Sequence, residues 1–414
     1  MSGYGRGLRH LWALEEDMVF LNHGAYGATP RELFERQNEW RVRMEAQPPR
    51  FFMNELPDLV REAAGSLARF VGSTPDRTVL LENATSGMNA VLRSLRFAPG
   101  DRIVTTDHVY GAVRNTLRHV AGTADAQVVE VPLPMPLVDP DEVADSLERA
   151  LDDRTRLVVV DHIASPSALV FPVAEIVGRC RARNIPVLVD GAHAAGQVDL
   201  DIDTIGADWY VGNAHKWLCA PKGAAFLAVG AHANAHGPDI HPTTISHAFG
   251  QGLTAEFGKI GTRDPSAWLC IPDAIAFHRR LGGRELRERN VALARMAGMV
   301  LATALDSELG GPAASFGAMV TVRLPCDADS TWENAGRIRD RLWQDHRVET
   351  LVAVVAGRLW LRVSVFAYND EADFAGLPAA VRAALAADGA GRAASRGGWI
   401  EAEAGAGAGI AAIC

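Results

Sequence analysis

VLVDGAHAAGQVDLDIDTIGADWYVGNAHKW, residues 187–217, decides how the rest of the chain reads. It opens on a short apolar run ending in Asp190 and closes on Lys216, flanked by His215 and Trp217. An apolar run that ends in an acid reads as a buried parallel strand with a carboxylate at its carboxyl end, where open α/β sheets keep their ligands. ADWYVGN (207–213) reads as a second strand, and it delivers Lys216 to the same crevice. Outward from this stretch, strand, turn and helix repeat. RTVLLEN (77–83) precedes a helix from Ser86, DRIVTTD (101–107) one from Gly111, AQVVEVPLP (126–134) one from Pro140, and TRLVVVDHI (155–163) one from Pro172. IPVLVDG, ADWYVGN and GAAFLAVG continue the sheet. The alternation predicts an α/β fold with a mostly parallel sheet wrapped by helices. Right-handed crossovers place its loops at one carboxyl edge.

The flanks are less regular. Residues 8–20 read as a short helix, LNHGAYGATP (21–30) as a Gly-rich turn, the stretch to Arg43 as a solvated helix, and RFFMNELP (50–57) as an aromatic-rich loop before a helix over 57–70. After Pro272 a helix over 284–309, a strand AMVTVRLP, a helix over 332–346, a hairpin over 348–367 and a last helix from Glu371 read as a smaller α/β domain. The expected division is an N-terminal arm (1–23), a large domain (24–283), a small C-terminal domain (284–386) and a disordered Ala- and Gly-rich tail (387–414). No internal repeat is visible.

Composition narrows the function. A formal charge of −9 argues against a polyanion partner such as nucleic acid. Cys180, Cys219, Cys270, Cys326 and Cys414 form no CxxC pair and no framework spacing, so reduced thiols and no zinc site are expected. The N-terminus lacks the pattern of a signal peptide, and no run approaches a membrane span. A soluble, cytoplasmic protein is expected.

An acid and a lysine facing one crevice suit pyridoxal 5'-phosphate (PLP), whose aldehyde forms a Schiff base with a lysine and whose pyridinium nitrogen pairs with an acid. A charge-assisted bond of that kind contributes about 1.5 to 3 kcal/mol and strengthens as charge moves into the ring. ENATSGMNAV (82–91) places Thr85 and Ser86 between a strand and a helix start, where N–H groups and hydroxyls bind phosphate well. The same residues also serve plain helix capping. Neither GxGxxG nor a Walker P-loop is present, which disfavours nucleotides. TDHVYGAVRN (106–115) supplies His108 and Tyr110. A tyrosine hydroxyl serves as a proton donor if its ordinary pKa of about 10 is lowered.

VDGAHA, followed 26 positions after Asp190 by the lysine of HKW, resembles the class V aminotransferase superfamily of fold-type I PLP enzymes. Within it the chain is similar to the isopenicillin N epimerase-like branch, with cysteine desulfurases and ergothioneine C–S lyases as cousins. The resemblance spans nearly the whole chain to about Ala386. It implies that Lys216 carries PLP and becomes the base for the Cα proton, that Asp190 pairs with the ring nitrogen, and that Thr85 and Ser86 hold the phosphate. His108 stands where the class often stacks a ring, whereas the epimerase branch relies on Tyr110. His193 lies near the phenolic oxygen, and Ser165 or Ser167 replaces the cousins' asparagine there. His215 closes the site. Thr262, in KIGTRDPSAW (259–268), matches a threonine that reaches the phosphate of the partner subunit's cofactor, which implies a homodimer with composite sites. Arg362, in RLWLRVSVFAYND (358–370), is expected to clamp the α-carboxylate of an amino acid substrate through two hydrogen bonds. Asn22 is a second expected substrate-binding residue.

Desulfurases carry a persulfide-forming cysteine shortly before this arginine. Residues 348–361 contain none, and Cys326 lies too far upstream, which excludes that reaction. Epimerisation through a ring-stabilised carbanion is the first expectation. Cysteine C–S cleavage, or decarboxylation with oxidative deamination, is the alternative. A PLP-fold protein that only binds a partner is disfavoured by the retained Asp190, Lys216 and Arg362.

Overall fold

The computed structural model describes residues 3–233, 239–326 and 329–396. In chain order its strands are β1 Val19–Phe20, β2 Thr78–Leu81, β3 Arg102–Thr106, β4 Gln127–Val131, β5 Thr155–Asp161, β6 Val187–Gly191, β7 Trp209–Asn213, β8 Ala225–Val229, β9 Met319–Arg323, β10 Val348–Glu349, β11 Leu351–Val355 and β12 Arg358–Ser364. Seven of them form one sheet in the order β2-β8-β7-β6-β5-β3-β4. From β4 to β7 the neighbours are parallel, as the alternation with helices predicts. β8 runs antiparallel to β7, and β2 antiparallel to β8. The link between β7 and β8, residues 214–224, holds no helix, so the chain turns straight back. That link carries Lys216.

Side-chain alternation sorts the sheet's two faces. Leu157, Val159, Leu188 and Val211 pack with Met88 and Val91 of the helix Ala84–Ser94 and with Val113 and Leu117 of the helix Gly111–Ala124. Val158, Val160, Val187, Val189 and Tyr210 join the larger core on the other face. Asp161 and Asp190 continue the first series, so both carboxyl groups look toward the helix Ala84–Ser94.

β11, β12 and β9 form a separate antiparallel sheet, in which Arg362 lies between Leu351 and Thr321. The N-terminal segment is stitched to it. β1 pairs in parallel with β10, the Leu21 N–H donates to the Glu349 carbonyl at 2.9 Å, and the Ser364 N–H donates to the Leu21 carbonyl at 2.7 Å. These bonds bring Asn22 beside Arg362.

Four expectations need correction. Residues 8–20 are not a helix: a 3₁₀ turn, Arg6–Leu11, gives way to β1, because pairing with β10 outweighs a weak local helical preference. RFFMNELP is not a loop: Phe51–Glu55 is a π-helical turn running directly into the helix Leu56–Phe70, anchored by the buried Phe51. The long helix begins at Arg284 but ends at Ala304, and Asp306 then turns the chain with φ +50°. At the C-terminal end, Glu371–Asp373 forms a capped 3₁₀ turn and the last helix is Leu377–Arg396. Of the expected disordered tail, residues 397–414 lie outside the described residues. Among the described residues no helix is long and apolar enough to cross a membrane.

Candidate active site

The carboxyl edge of the large sheet brings Asp190, His193 and Lys216 together. Asp190, in β6, is buried, and its Oδ1 accepts the Ala192 N–H at 3.0 Å. Burial raises its proton affinity, while the Ala192 bond and the Lys216 charge pull the other way. Lys216 is half-buried, and its Nζ lies 3.2 Å from His193 Nε2. His193 is closed to solvent, and burial together with the charges of Lys216, Arg362 and His215 keeps it neutral. The loop of Lys216 is held on both sides. His215 Nδ1 meets the Ala224 carbonyl at 2.9 Å, and His23 Nε2 meets the Lys216 carbonyl at 3.1 Å. Gly27 adopts φ +69°, and a Cβ there would collide with the His215 carbonyl and lie 2.7 Å from the Lys216 carbonyl oxygen. Only glycine permits that approach.

Thr85 and Ser86 occupy the first turn of the helix Ala84–Ser94, both half-buried. Asn83 caps this helix: its Oδ1 accepts the Ser86 N–H at 2.9 Å. The Ala84 N–H donates instead to Asn213 Oδ1, also at 2.9 Å, which ties the turn to the end of β7 three residues before Lys216. A phosphate here would meet the two hydroxyls and the helix's positive end, with the Ser86 amide already used.

His108 is closed to solvent, and its Nδ1 lies 2.9 Å from Ser167 Oγ. Tyr110 takes the N-cap position of the helix Gly111–Ala124, half-buried against the same apolar cluster. The two candidate serines therefore divide. Ser167 positions His108, whereas Ser165 belongs to Arg362. Arg362 Nη1 donates to the Ser165 carbonyl at 2.6 Å and to its Oγ at 3.2 Å, and Nη2 donates to Asn22 Oδ1 at 3.1 Å. Asn22 Nδ2 in turn donates to Glu349 Oε1 at 2.9 Å. Arg362 is 1% exposed, so this is an oriented, buried cation next to the crevice. Thr262 stands exposed in a turn begun by Gly261. Its neighbour Arg263 pairs with Glu82 and lies 3.6 Å over the Trp268 ring.

The donor set fits PLP: an amine for the aldehyde, a buried carboxylate for the ring nitrogen, a helix start with hydroxyls for the phosphate and a guanidinium for the substrate. His108 Nε2 and His193 Nδ1 are buried with no hydrogen-bond partner among the described residues, as expected of groups that face a bound ring system. Lys216, Lys222 and Lys259 are the chain's three lysines. Lys222 is bonded through Nζ to Thr29 Oγ1 at 3.2 Å, and Lys259 is exposed.

Sequence reading missed Asn83, Asn213, Gly27, His23 and Asp161. Asp161 was recognisable, since VVVD ends an apolar strand in an acid just as VLVD does. His23 stacks on Phe366 at 4.0 Å and bonds to the Tyr368 hydroxyl at 2.7 Å, contacts that only the folded chain creates.

Burial pushes His23 down to about 3, and His108, His162, His215 and His278 to about 4. The unfolded chain binds protons at these histidines below about pH 6.5, which the folded chain refuses until far lower pH. Stability from this source is thus fully present above pH 6.5 and is lost as pH falls toward 4. The thermal unfolding midpoint should drop steeply over that window. A midpoint level from pH 7.5 to 4.5 would contradict buried neutral histidines.

Comparison with known proteins places the chain in a family. The family model described as Aminotransferase class-V matches residues 19–374. The chain is 34% identical over 412 residues to a putative L-cysteine desulfhydrase 1 of Oryza sativa subsp. japonica, covering 91% of this chain and 84% of the relative. It is 36% identical over 377 residues to an isopenicillin N epimerase of Streptomyces clavuligerus, covering 86% of this chain and 92% of the relative. In three dimensions it is similar to a C-DES mutant solved with glycine covalently linked to the PLP cofactor, with a TM-score of 0.76 at 20% identity over 90% of this chain and 98% of that one. A family match over residues 19–374, enclosing the acid, the lysine and the arginine of one crevice, settles the assignment: the chain belongs to the aminotransferase class-V family.

Proposed function

We propose that this chain is a PLP enzyme that removes the Cα proton of an amino acid and returns it on the opposite face, an epimerase of the isopenicillin N epimerase type. One observation carries the reading. Lys216 Nζ sits 3.2 Å from a neutral histidine, while a buried Arg362, oriented by Ser165 and Asn22, provides a carboxylate clamp. When bound, PLP supplies the electron sink for the Cα–H bond.

The chain's own groups do the rest. Arg362 fixes the substrate carboxylate in a plane through two N–H donors. Lys216 takes the Cα proton, and the neutrality of His193 keeps a second positive charge away from its amine. Asp190 holds the ring nitrogen in its charged form. Tyr110 is the group we assign to proton return. The exposed Thr262 we assign to the phosphate of a second copy's site, which makes the working unit a homodimer.

C–S cleavage is the second reading, favoured by the similarity to L-cysteine desulfhydrase over 91% of this chain. It starts from the same proton removal, and a thiolate of ordinary pKa about 8.5 leaves with little acid assistance.

Proton NMR in deuterated water, with L-cysteine, S-substituted L-cysteines and a panel of other L-amino acids, tests the proposal. The expected result is loss of the Cα–H signal with recovery of both enantiomers. Pyruvate and a free thiol would replace epimerisation by elimination. Retention of every Cα–H signal would overturn Lys216 as the base.

A further inference from the structure

Asp190 is not the only acid at this edge of the sheet. Asp161 is its register partner on the neighbouring parallel strand. Paired residues on parallel strands lie about 4.8 Å apart and point to the same face. Both carboxyl groups are closed to solvent, at 2% exposure for Asp161 and 4% for Asp190. They differ in their partners. Asp190 accepts the Ala192 N–H, whereas Asp161 Oδ2 is buried with no hydrogen-bond partner among the described residues.

Two negative charges side by side, without water, repel each other strongly. The one whose Oδ2 has no partner is the one that remains neutral, and a neutral carboxyl has a proton to give. The acceptor placed next to it is Asp190. Burial first, and the Asp190 charge second, raise the proton affinity of Asp161 well above the carboxylate range, against smaller opposing pulls from Arg114 and from its own backbone N–H. The other charges that face the pair are Lys216, from the β7–β8 link, and through it the neutral His193.

We propose that Asp161 is a positioning residue: a protonated carboxyl group that donates a hydrogen bond to Asp190 and so keeps Asp190 ionised against the pyridinium nitrogen of PLP. The inference rests on the assignment of Asp190 to the ring nitrogen. Asp161, Asp190 and the ring nitrogen then hold two protons between them and a net charge of zero. Without the Asp161 proton, Asp190 becomes a stronger base and draws the proton away from the ring nitrogen, which weakens the electron sink.

The test compares apo-protein affinity for PLP with that for 1-deaza-PLP, in which a C–H replaces the ring nitrogen. The ratio of the two dissociation constants reads the contact between Asp190 and the ring nitrogen and cancels phosphate and aldehyde contacts. Asp161→Asn keeps an N–H donor at the position and should leave the ratio within about twofold of the parent, well inside the tenfold that one pKa unit represents. Asp161→Val, suited to a buried strand, and Asp161→Ala both remove the donor and should each shrink the ratio by about tenfold, one pKa unit of lost tuning. An unchanged ratio in the folded donorless variant overturns the role of Asp161 while leaving Asp190 in place. A loss in Asp161→Asn equal to that in Asp161→Val overturns the neutral-donor account. A parent protein that does not distinguish PLP from 1-deaza-PLP overturns the Asp190 assignment itself, and the inference with it.

Discussion

Lys216→Ala is expected to abolish turnover, with kcat lowered by at least about 10³-fold, in the upper range for removal of a positioned base. It should also remove the visible absorbance that PLP acquires on binding to the lysine. The loss has no internal rescue. Lys222 is held through its Nζ by the Thr29 hydroxyl at 3.2 Å, and Lys259 is exposed, so neither amine is placed to take over. The surroundings of Lys216 do not depend on its side chain, because the loop is held through main-chain atoms by His23 and by the Gly27 approach. The variant should therefore fold and still bind PLP noncovalently through the phosphate and ring-nitrogen contacts. Retention of more than a tenth of the parent kcat would contradict the assignment.

Arg362→Ala is expected to raise KM for the amino acid by about a hundredfold, because two charge-assisted hydrogen bonds to a carboxylate are lost at about 1.5 to 3 kcal/mol each, partly replaced by water. PLP affinity should change little, since the guanidinium is held by Ser165 and Asn22 and not by the groups assigned to the phosphate or the ring nitrogen. Arg362→Lys should behave nearly as badly. An ammonium keeps the charge but lacks the fixed fork, and it leaves either Ser165 or Asn22 without a donor. Steady-state kinetics together with a PLP titration separate the cases. An unchanged KM in a variant that binds PLP normally would remove Arg362 from substrate recognition.

Much of this architecture was readable in the chain because its signals are local. Asp190 closes an apolar run and Lys216 follows the next strand, so sheet, edge and site come out of one stretch. The arginine was readable only by its context, since nothing local distinguishes Arg362 from a salt-bridge arginine. Its orientation depends on Asn22, 340 residues away, and on Ser165. The N-terminal segment shows the limit most plainly. Residues 8–20 have a weak helical pattern, yet pairing of β1 with β10 places them, and no local rule contains that partner. Likewise Gly27 looks like one more turn glycine until the Lys216 loop is seen resting on it. Asp161 is a different kind of miss. Its strand carries the same signal as that of Asp190, and only the register makes the two acids neighbours.

The most direct test of the account is to reduce the PLP-loaded protein with borohydride and map the modified lysine by peptide mass spectrometry. With Lys216, Lys222 and Lys259 as the only candidates in the chain, the answer is a choice among three positions. The account predicts the pyridoxyl adduct on Lys216 and its disappearance in Lys216→Ala. An adduct on Lys222 or Lys259, or none in a protein that binds PLP, would contradict it.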